Sequence, residues 1–463
     1  MTYPFLVPHM IKGQLFTEGV IEYALRDRGH SLATPALELD QLIWPRTSEP
    51  PAANLPIEQV IDFLVAVGER LNLDSNPYLR QALDDMTQVS ELGPRVLENC
   101  YRDLRHMFQR SVLEAELECN LGSKEVIDGW QSLNLHGMES RRRAYPPRLV
   151  HVLAGNSPMA AAMTVIRGAL TKGVHLLKMP SNDPFTATAI LGTMADIHPD
   201  HPVTRSFSAV YWRGGDAAIE SVLYRAQHFD KLVVWGGESA ARHAQRYIDP
   251  GLDLVSFAPK VSMSMVGREA FTNDATLRDV ARRAATDVLS FNQGTCKASR
   301  YQFVEGDSGS VDLYCRYLAE ALQQDVRYGN GHGAPTPKDI REKVDSLKLL
   351  EPVYRVFGSY DGKGLVIRSE EPVDLHPNSK TINVVPVGSL TSACRFATAA
   401  TQTVGIWPAQ RRTEVRDALA NAGVQRIVTL GAVNGLGGFG GTPHGASYSI
   451  HRLMRWISDE GED

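Results

Sequence analysis

The amino-acid sequence predicts an α/β protein of two lobes with an N-terminal helical region. Three observations carry that expectation. A chain of 463 residues suffices for two sizeable cores. Residues 56–120 repeat apolar positions at helical spacing, and from Leu149 onward short apolar runs alternate with longer helical ones. Such alternation builds parallel sheets, because parallel strands need crossovers and the crossover helices then cover both faces.

In the helical region, IEQVIDFLVAVGERL and PRVLENCYRDLRHMFQRSVLEAEL set apolar residues three and four apart with charges between. The polar stretch SRRRAYPPR follows, and its Arg141, Arg142 and Arg143 read as a solvated loop or an interface element. Strand-length runs LVHVLA, VHLLKM, SAVYW, KLVVW and DLVSF then alternate with MAAAMTVIRGALTKG, PFTATAILGTMADI, AAIESVLYRAQ and ESAARHAQRY, predicting a Rossmann-like lobe. A second alternation starts at Val261 with VSMSMVG and runs through RYQFV, TINVVPV, TQTVGIW and RIVTL. The expected division is a helical region and nucleotide-binding lobe over 1–260, a catalytic lobe over 261–440, and an amphipathic docking helix over 441–463, where SIHRLMRWI lies. YGNGHGAPTP and GLGGFGGTPHG have the composition of surface loops.

Composition excludes several function classes. A net charge of −5 with both signs interspersed leaves no footprint for nucleic acid or an anionic membrane. Five scattered cysteines without a CxxC pair suggest neither a disulfide framework nor a metal site, and fit a reducing cytoplasm. The N-terminus carries Lys12 inside its apolar part and lacks a secretory pattern. No apolar run approaches the ~20 residues that span a bilayer.

The chemistry-bearing positions lie at strand ends. In parallel sheets, ligands bind at the carboxyl edge, where strands lead into helices. The first strand ends in AGNSP, where Asn156 offers an amide donor, although Asn156 and Ser157 equally suit helix capping ahead of Pro158. LLKMPSNDP places Lys178 and Ser181 at the next junction. VVWGGES adds Gly236 and Gly237, which admit close backbone approach, and Ser239 as a helix cap. Further on, NQGTCKASR sets a lone Cys296 among small residues, the pattern of a small buried hydrophobe or of a nucleophile.

The order AGNSP, LLKMPSNDP, WGGES, SFAPKVSM, NQGTC is similar to the aldehyde dehydrogenase superfamily. Within it the chain resembles the LuxC-type acyl-CoA reductases, on LVPHMIKGQ, HVLAGNSPMAAAMTVIRGALTKGVHLLKMPSNDP, YWRGGD, VVWGGESA, QTVGIW, AGVQRIVTLGAV and HRLMRWI. The resemblance implies an aldehyde dehydrogenase-like fold and NADPH held by Lys178, Ser181, Gly236, Gly237 and Ser239. It makes Cys296 the nucleophile and gives the oxyanion two donors, the Asn156 amide and the Cys296 backbone N–H. The implied substrate is a long-chain acyl-CoA or acyl-carrier-protein thioester, reduced to the aldehyde by a self-associating enzyme.

Departures from the pattern sharpen the chemistry. Oxidative members of the superfamily use a glutamate to activate the water that hydrolyses their thioester intermediate, and Ser256 stands at that place. Hydrolysis then loses its base, and reduction is favoured over oxidation. His444 is retained without the acid that follows it in the family, and PNSKTINVVPV has no carboxylate where the superfamily holds the nicotinamide ribose. Lys260, Lys297 and His444 are the auxiliary groups available to an ionised Cys296. Two alternatives compete, an oxidising aldehyde dehydrogenase and a catalytically silent nucleotide-binding or scaffold subunit. The absent glutamate opposes the first; Cys296 and Asn156 at matching places oppose the second.

Overall fold

The computed structural model describes residues 4–24, 30–135, 138–257, 260–435, 442–444 and 447–460. Their contacts divide into two units, one drawn from 1–91, 97–258 and 439–463, the other from 92–96 and 259–438.

The first unit is organised on a seven-stranded sheet. Its parallel part runs in the order Asp253–Phe257, Lys231–Trp235, Arg148–Val152, Val174–Lys178, Phe207–Val210. Successive strands step outward from Arg148–Val152 in one direction, and then the chain returns to add Lys231–Trp235 on its other side. In open α/β sheets such a reversal marks the part of the carboxyl edge where ligands bind. The helices Ile57–Arg70, Pro77–Val89, Pro94–Met107 and Arg110–Leu121 account for the periodic region. Pro158–Leu170, the first crossover helix, is buried along most of its length, and its start is set by Ser157, whose hydroxyl accepts from Met159 N at 3.2 Å, with Pro158 in the first turn.

Three features of this unit differ from the sequence expectation. His9–Ile11 and Gln14–Phe16 form an antiparallel hairpin that extends the sheet beyond Phe207–Val210. The basic stretch is a strand rather than a loop: Met138–Tyr145 pairs with Gln131–Leu135 and with Arg455–Glu460. The expected closing helix is reduced to Ser449–Leu453, after which the chain becomes that edge strand. Arg141 faces Asp459 and Ala144 faces Trp456 across the ladder. The partner lies more than three hundred residues away, so local periodicity carries no trace of the pairing.

The second unit holds another seven-stranded sheet, ordered Arg355–Ser359, Gly364–Arg368, Thr381–Val387, Ser299–Glu305, Val261–Val266, Thr401–Trp407, Arg426–Thr429. All neighbours are parallel except the Arg355–Ser359 edge. Alternate residues serve opposite faces. Val266, Val304 and Val384 pack with the helices Asp274–Val288 and Ser308–Ala321, while Met265, Phe303 and Val385 pack with Leu390–Ala393 and Arg412–Asn421. Both VSMSMV and TINVVPV are buried along most of their length, so their apolar residues serve both faces of the sheet.

Candidate active site

In the first unit, the carboxyl edge brings three expected junctions onto one sheet. Gly155 and the SNDP turn pack so closely that a Cβ at Gly155 would lie 2.1 Å from Asn182 Oδ1. Glycine is required there by contact rather than by torsion. Asn156 is exposed at the mouth of this junction. Asp183, ahead of the next helix, accepts from Thr186 N at 3.0 Å and from the Thr186 hydroxyl at 2.7 Å, and burial pushes its carboxyl up to about 6 against those hydrogen bonds. Lys178 is buried at its strand end, its ammonium 5.8 Å from the Trp212 ring and 5.9 Å from Tyr211. Ser181 is half-buried in the following turn.

The glycine turn differs in one respect from the expectation. Gly237 is itself the N-cap of Glu238–Gln245, so Ser239 lies inside the first turn and is not the cap. A side chain at Gly237 would meet nothing within 4 Å, which leaves open space at this helix start.

Sequence reasoning missed the support beneath this edge. Glu220, 2 % exposed, accepts from Trp212 Nε1 at 3.2 Å and from Gly215 N at 3.0 Å. Its other oxygen meets His243 Nε2 at 2.5 Å and Tyr247 Oη at 3.4 Å. The carboxylate thereby fixes the turn after Phe207–Val210, where Gly215 adopts φ +88°. YWRGGD was legible as a motif, but the glutamate that holds it is separated by helix residues.

In the second unit, Cys296 is half-buried between the short 3₁₀ turn Ser290–Gln293 and the strand Ser299–Glu305. Phe291, Asn292 and Gln293 all take left-handed torsions, φ 50°, 52° and 65°. Three consecutive non-glycine residues in that region cost about 1–3 kcal/mol each and persist only where surroundings over-determine them. Here they do. Phe291 N donates to Tyr328 O at 2.6 Å and its ring stacks on Tyr328 at 5.3 Å. Asn292 Oδ1 accepts from Asn330 N at 2.9 Å. Gln293 Nε2 donates to Thr381 O at 2.8 Å and to Ser299 O at 3.1 Å, and Gln293 O accepts from Arg300 at 2.9 Å. NQG is therefore a built hook carrying the cysteine, which sequence composition suggested only as flexibility.

Burial pushes the Cys296 thiol up; Lys297, its own backbone N–H, a hydrogen bond with the Gln402 side chain and Arg300 pull it back down. Cys100 and Cys315 are buried, and Cys315 is pushed far up by burial. Among these cysteines, Cys296 combines partial access with neighbouring cations and donors.

The family model of acyl-CoA reductase (LuxC) matches residues 52–456. The chain belongs to that family. Similar proteins are long-chain acyl-protein thioester reductases. That of Photorhabdus luminescens is 30% identical over 418 residues, covering 88% of this chain and 82% of that protein. That of Vibrio harveyi is 28% identical over 421 residues, covering 88% and 83%. Among solved structures, an NAD-dependent aldehyde dehydrogenase from Sinorhizobium meliloti superposes with a TM-score of 0.74 at 12% identity, covering 100% of this chain and 95% of that one. The LuxC chain thus has the aldehyde dehydrogenase-like α/β fold that its motifs implied.

The remaining expected residues of this LuxC-family chain are placed as follows. Lys260 donates to the Ala399 carbonyl at 2.6 Å, tying the start of Val261–Val266 to the neighbouring loop. The His444 ring lies 5.1 Å from Trp235 and 5.0 Å from Phe257, at the carboxyl ends of two strands of the first sheet. Ser256 sits on the edge strand opposite Val234. Ala258 and Pro259 of the SFAPK element, and most of GLGGFGGTPHG, lie outside the described residues. Among the described residues, no helix is long and apolar enough to cross a membrane.

Proposed function

We propose that this LuxC-family chain reduces an acyl thioester to the aldehyde through an acyl-enzyme on Cys296, using NADPH. The observation that carries the reading is the strained, fully braced hook that presents Cys296 beside Lys297, Arg300 and Gln402. The thiolate attacks the acyl carbonyl, the donor thiol leaves, and a thioester to Cys296 remains. The resemblance gives the oxyanion two donors, the Asn156 amide and the Cys296 backbone N–H. Ser256, in place of a water-activating carboxylate, lets that thioester outlive hydrolysis. The thiohemiacetal formed on reduction expels Cys296 and leaves the aldehyde.

The carboxyl edge of the first sheet fits a dinucleotide. Lys178 is a buried cation at a strand end, Arg213 is an exposed cation on the neighbouring junction, and Gly237 opens a helix start to an anion. Lys178, Ser181, Gly236, Gly237 and Ser239 would hold the cofactor, which supplies hydride when bound. The acyl donor is a long-chain acyl-CoA or an acyl-carrier protein, and the enzyme is read as a cytoplasmic self-associating protein.

Two variants test the roles. Asn156→Ala is expected to fold normally and to slow acylation of Cys296 by about 100-fold, the loss typical of one oxyanion donor; unchanged acylation kinetics would remove Asn156 from that role. Lys178→Met is expected to weaken NADPH binding by roughly 10-fold or more, as lost charge-assisted hydrogen bonds do. Nucleotide fluorescence titration measures this without turnover, and equal affinities would place the dinucleotide elsewhere.

A further inference from the structure

Among the described residues, the register of the second unit's sheet shifts at one level, in its centre. Along Val261–Val266, the register with Ser299–Glu305 goes from Ser262↔Ser299 to Met263↔Tyr301, so Arg300 is an extra residue. On the other side it goes from Val261↔Thr401 to Met263↔Val404, so Gln402 and Thr403 together face Ser262. Two neighbouring strands thus each carry an added residue at the level of Ser262. Such insertions bend a strand and re-aim a side chain, and they concentrate beside active sites.

Ser262 is the pin between them. Its hydroxyl donates to the Cys296 carbonyl at 2.6 Å and accepts from Thr403 N at 3.1 Å. The cysteine loop is thereby fixed to the strand that carries Gln402. Gln402 is 3 % exposed, and its Oε1 is buried without a hydrogen-bond partner. Arg300 is 9 % exposed, gives its terminal nitrogens to the carbonyls of Gln293 and Pro377, and keeps a buried Nε without an acceptor. Buried polar atoms are rarely left so, and both side chains that carry them act on Cys296, Gln402 through a hydrogen bond and Arg300 through its charge.

We propose that Gln402 and Arg300 form the thiolate-holding pocket of Cys296, with the Gln402 amide donating to the sulfur and the Arg300 guanidinium supplying positive charge. The proposal rests on Cys296 being the nucleophile, the reading given above. The sulfur loses its proton to solvent and keeps its electron pair, which the amide N–H and the cation stabilise until it attacks. The charged groups that act electrostatically on the sulfur are Lys297 and Arg300 from its own loop and strand, and Arg426 from the last strand. Behind Arg426 lies Asp287, buried, its carboxyl pushed up to about 7 by burial against hydrogen bonds from Gly431 and Val433. None of these is a base placed to remove the proton, so the pocket acts by stabilising the anion.

The test is the pH dependence of Cys296 alkylation by iodoacetamide in the full chain, located by peptide mass, with Gln402→Leu, Gln402→Glu and Lys297→Met. Gln402→Leu should move the alkylation midpoint upward by about one pH unit, roughly tenfold less thiolate at a fixed pH. Gln402→Glu should move it further, since a carboxylate beside the sulfur opposes ionisation. Lys297→Met, which removes charge and leaves the strand untouched, should move it upward alone. A midpoint unchanged in both Gln402 variants overturns the pocket. Because alkylation reads the sulfur directly, it is distinguishable from failure of the acyl-enzyme reading, which would show as turnover surviving Cys296→Ala.

Discussion

Replacing Cys296 by alanine is expected to abolish aldehyde formation, by about 10⁴-fold or more, since removal of a covalent nucleophile leaves only binding and oxyanion stabilisation. Intact mass after mixing with a panel of acyl-CoAs and acyl-carrier proteins should show one acyl adduct on the parent chain and none on the variant. The donor that labels the parent identifies the acyl source in the same measurement. Acylation by the parent should accelerate as pH rises, because burial raises the thiol and a rising pH populates the thiolate. NADPH-dependent turnover retained by the variant would refute the acyl-enzyme.

The second large effect concerns stability. Arg167 of the first crossover helix and Glu116 of the helical region form a buried ion pair, 5% and 2% exposed in their side chains, at 3.0 and 3.3 Å. Arg167 also donates to Ser449 Oγ at 3.1 Å. Asn120 donates to Glu116 at 3.2 Å and accepts from Ile450 N at 2.7 Å. One polar network thus ties the helical region, the crossover helix that starts beside Asn156, and the closing segment. Glu116→Ala leaves a guanidinium buried without its carboxylate, and the expected loss is about 3–5 kcal/mol. Against a typical total of roughly 5–15 kcal/mol, that would shift a urea midpoint markedly. Glu116→Met with Arg167→Met should recover much of the loss, because replacing both charges removes the desolvation penalty along with the attraction. A single variant as stable as the parent would show that water reaches the guanidinium.

Much of the site was legible because it is local. AGNSP, LLKMPSNDP and WGGES each join a strand to its own helix within a few residues, so strand periodicity, turn residues and helix start coincide in one stretch. NQGTC was legible because it stands between a helical run and a strand and follows AGNSP, LLKMPSNDP, WGGES and SFAPKVSM in superfamily order. The proposed partners of Cys296 were not. Gln402 follows it by more than a hundred residues and lies in QTVGIW, a run whose apolar texture reads as an ordinary strand. Glu220 gave no signal either, since a carboxylate on a surface-like helix looks solvated until the fold closes over it.

By itself, then, the sequence determined the α/β class, the two alternating lobes, the cysteine proposed as nucleophile and the edges that present polar junctions, because hydrophobic period and turn chemistry act over short stretches of chain. The tertiary structure alone decided which groups meet: the pairing of Met138–Tyr145 with Arg455–Glu460, the Glu220 hub, and the insertions on either side of Ser262. Those depend on strand neighbours brought together across long loops. A register shift of one residue, which moves a side chain from one face of a sheet to the other, leaves no mark on local periodicity.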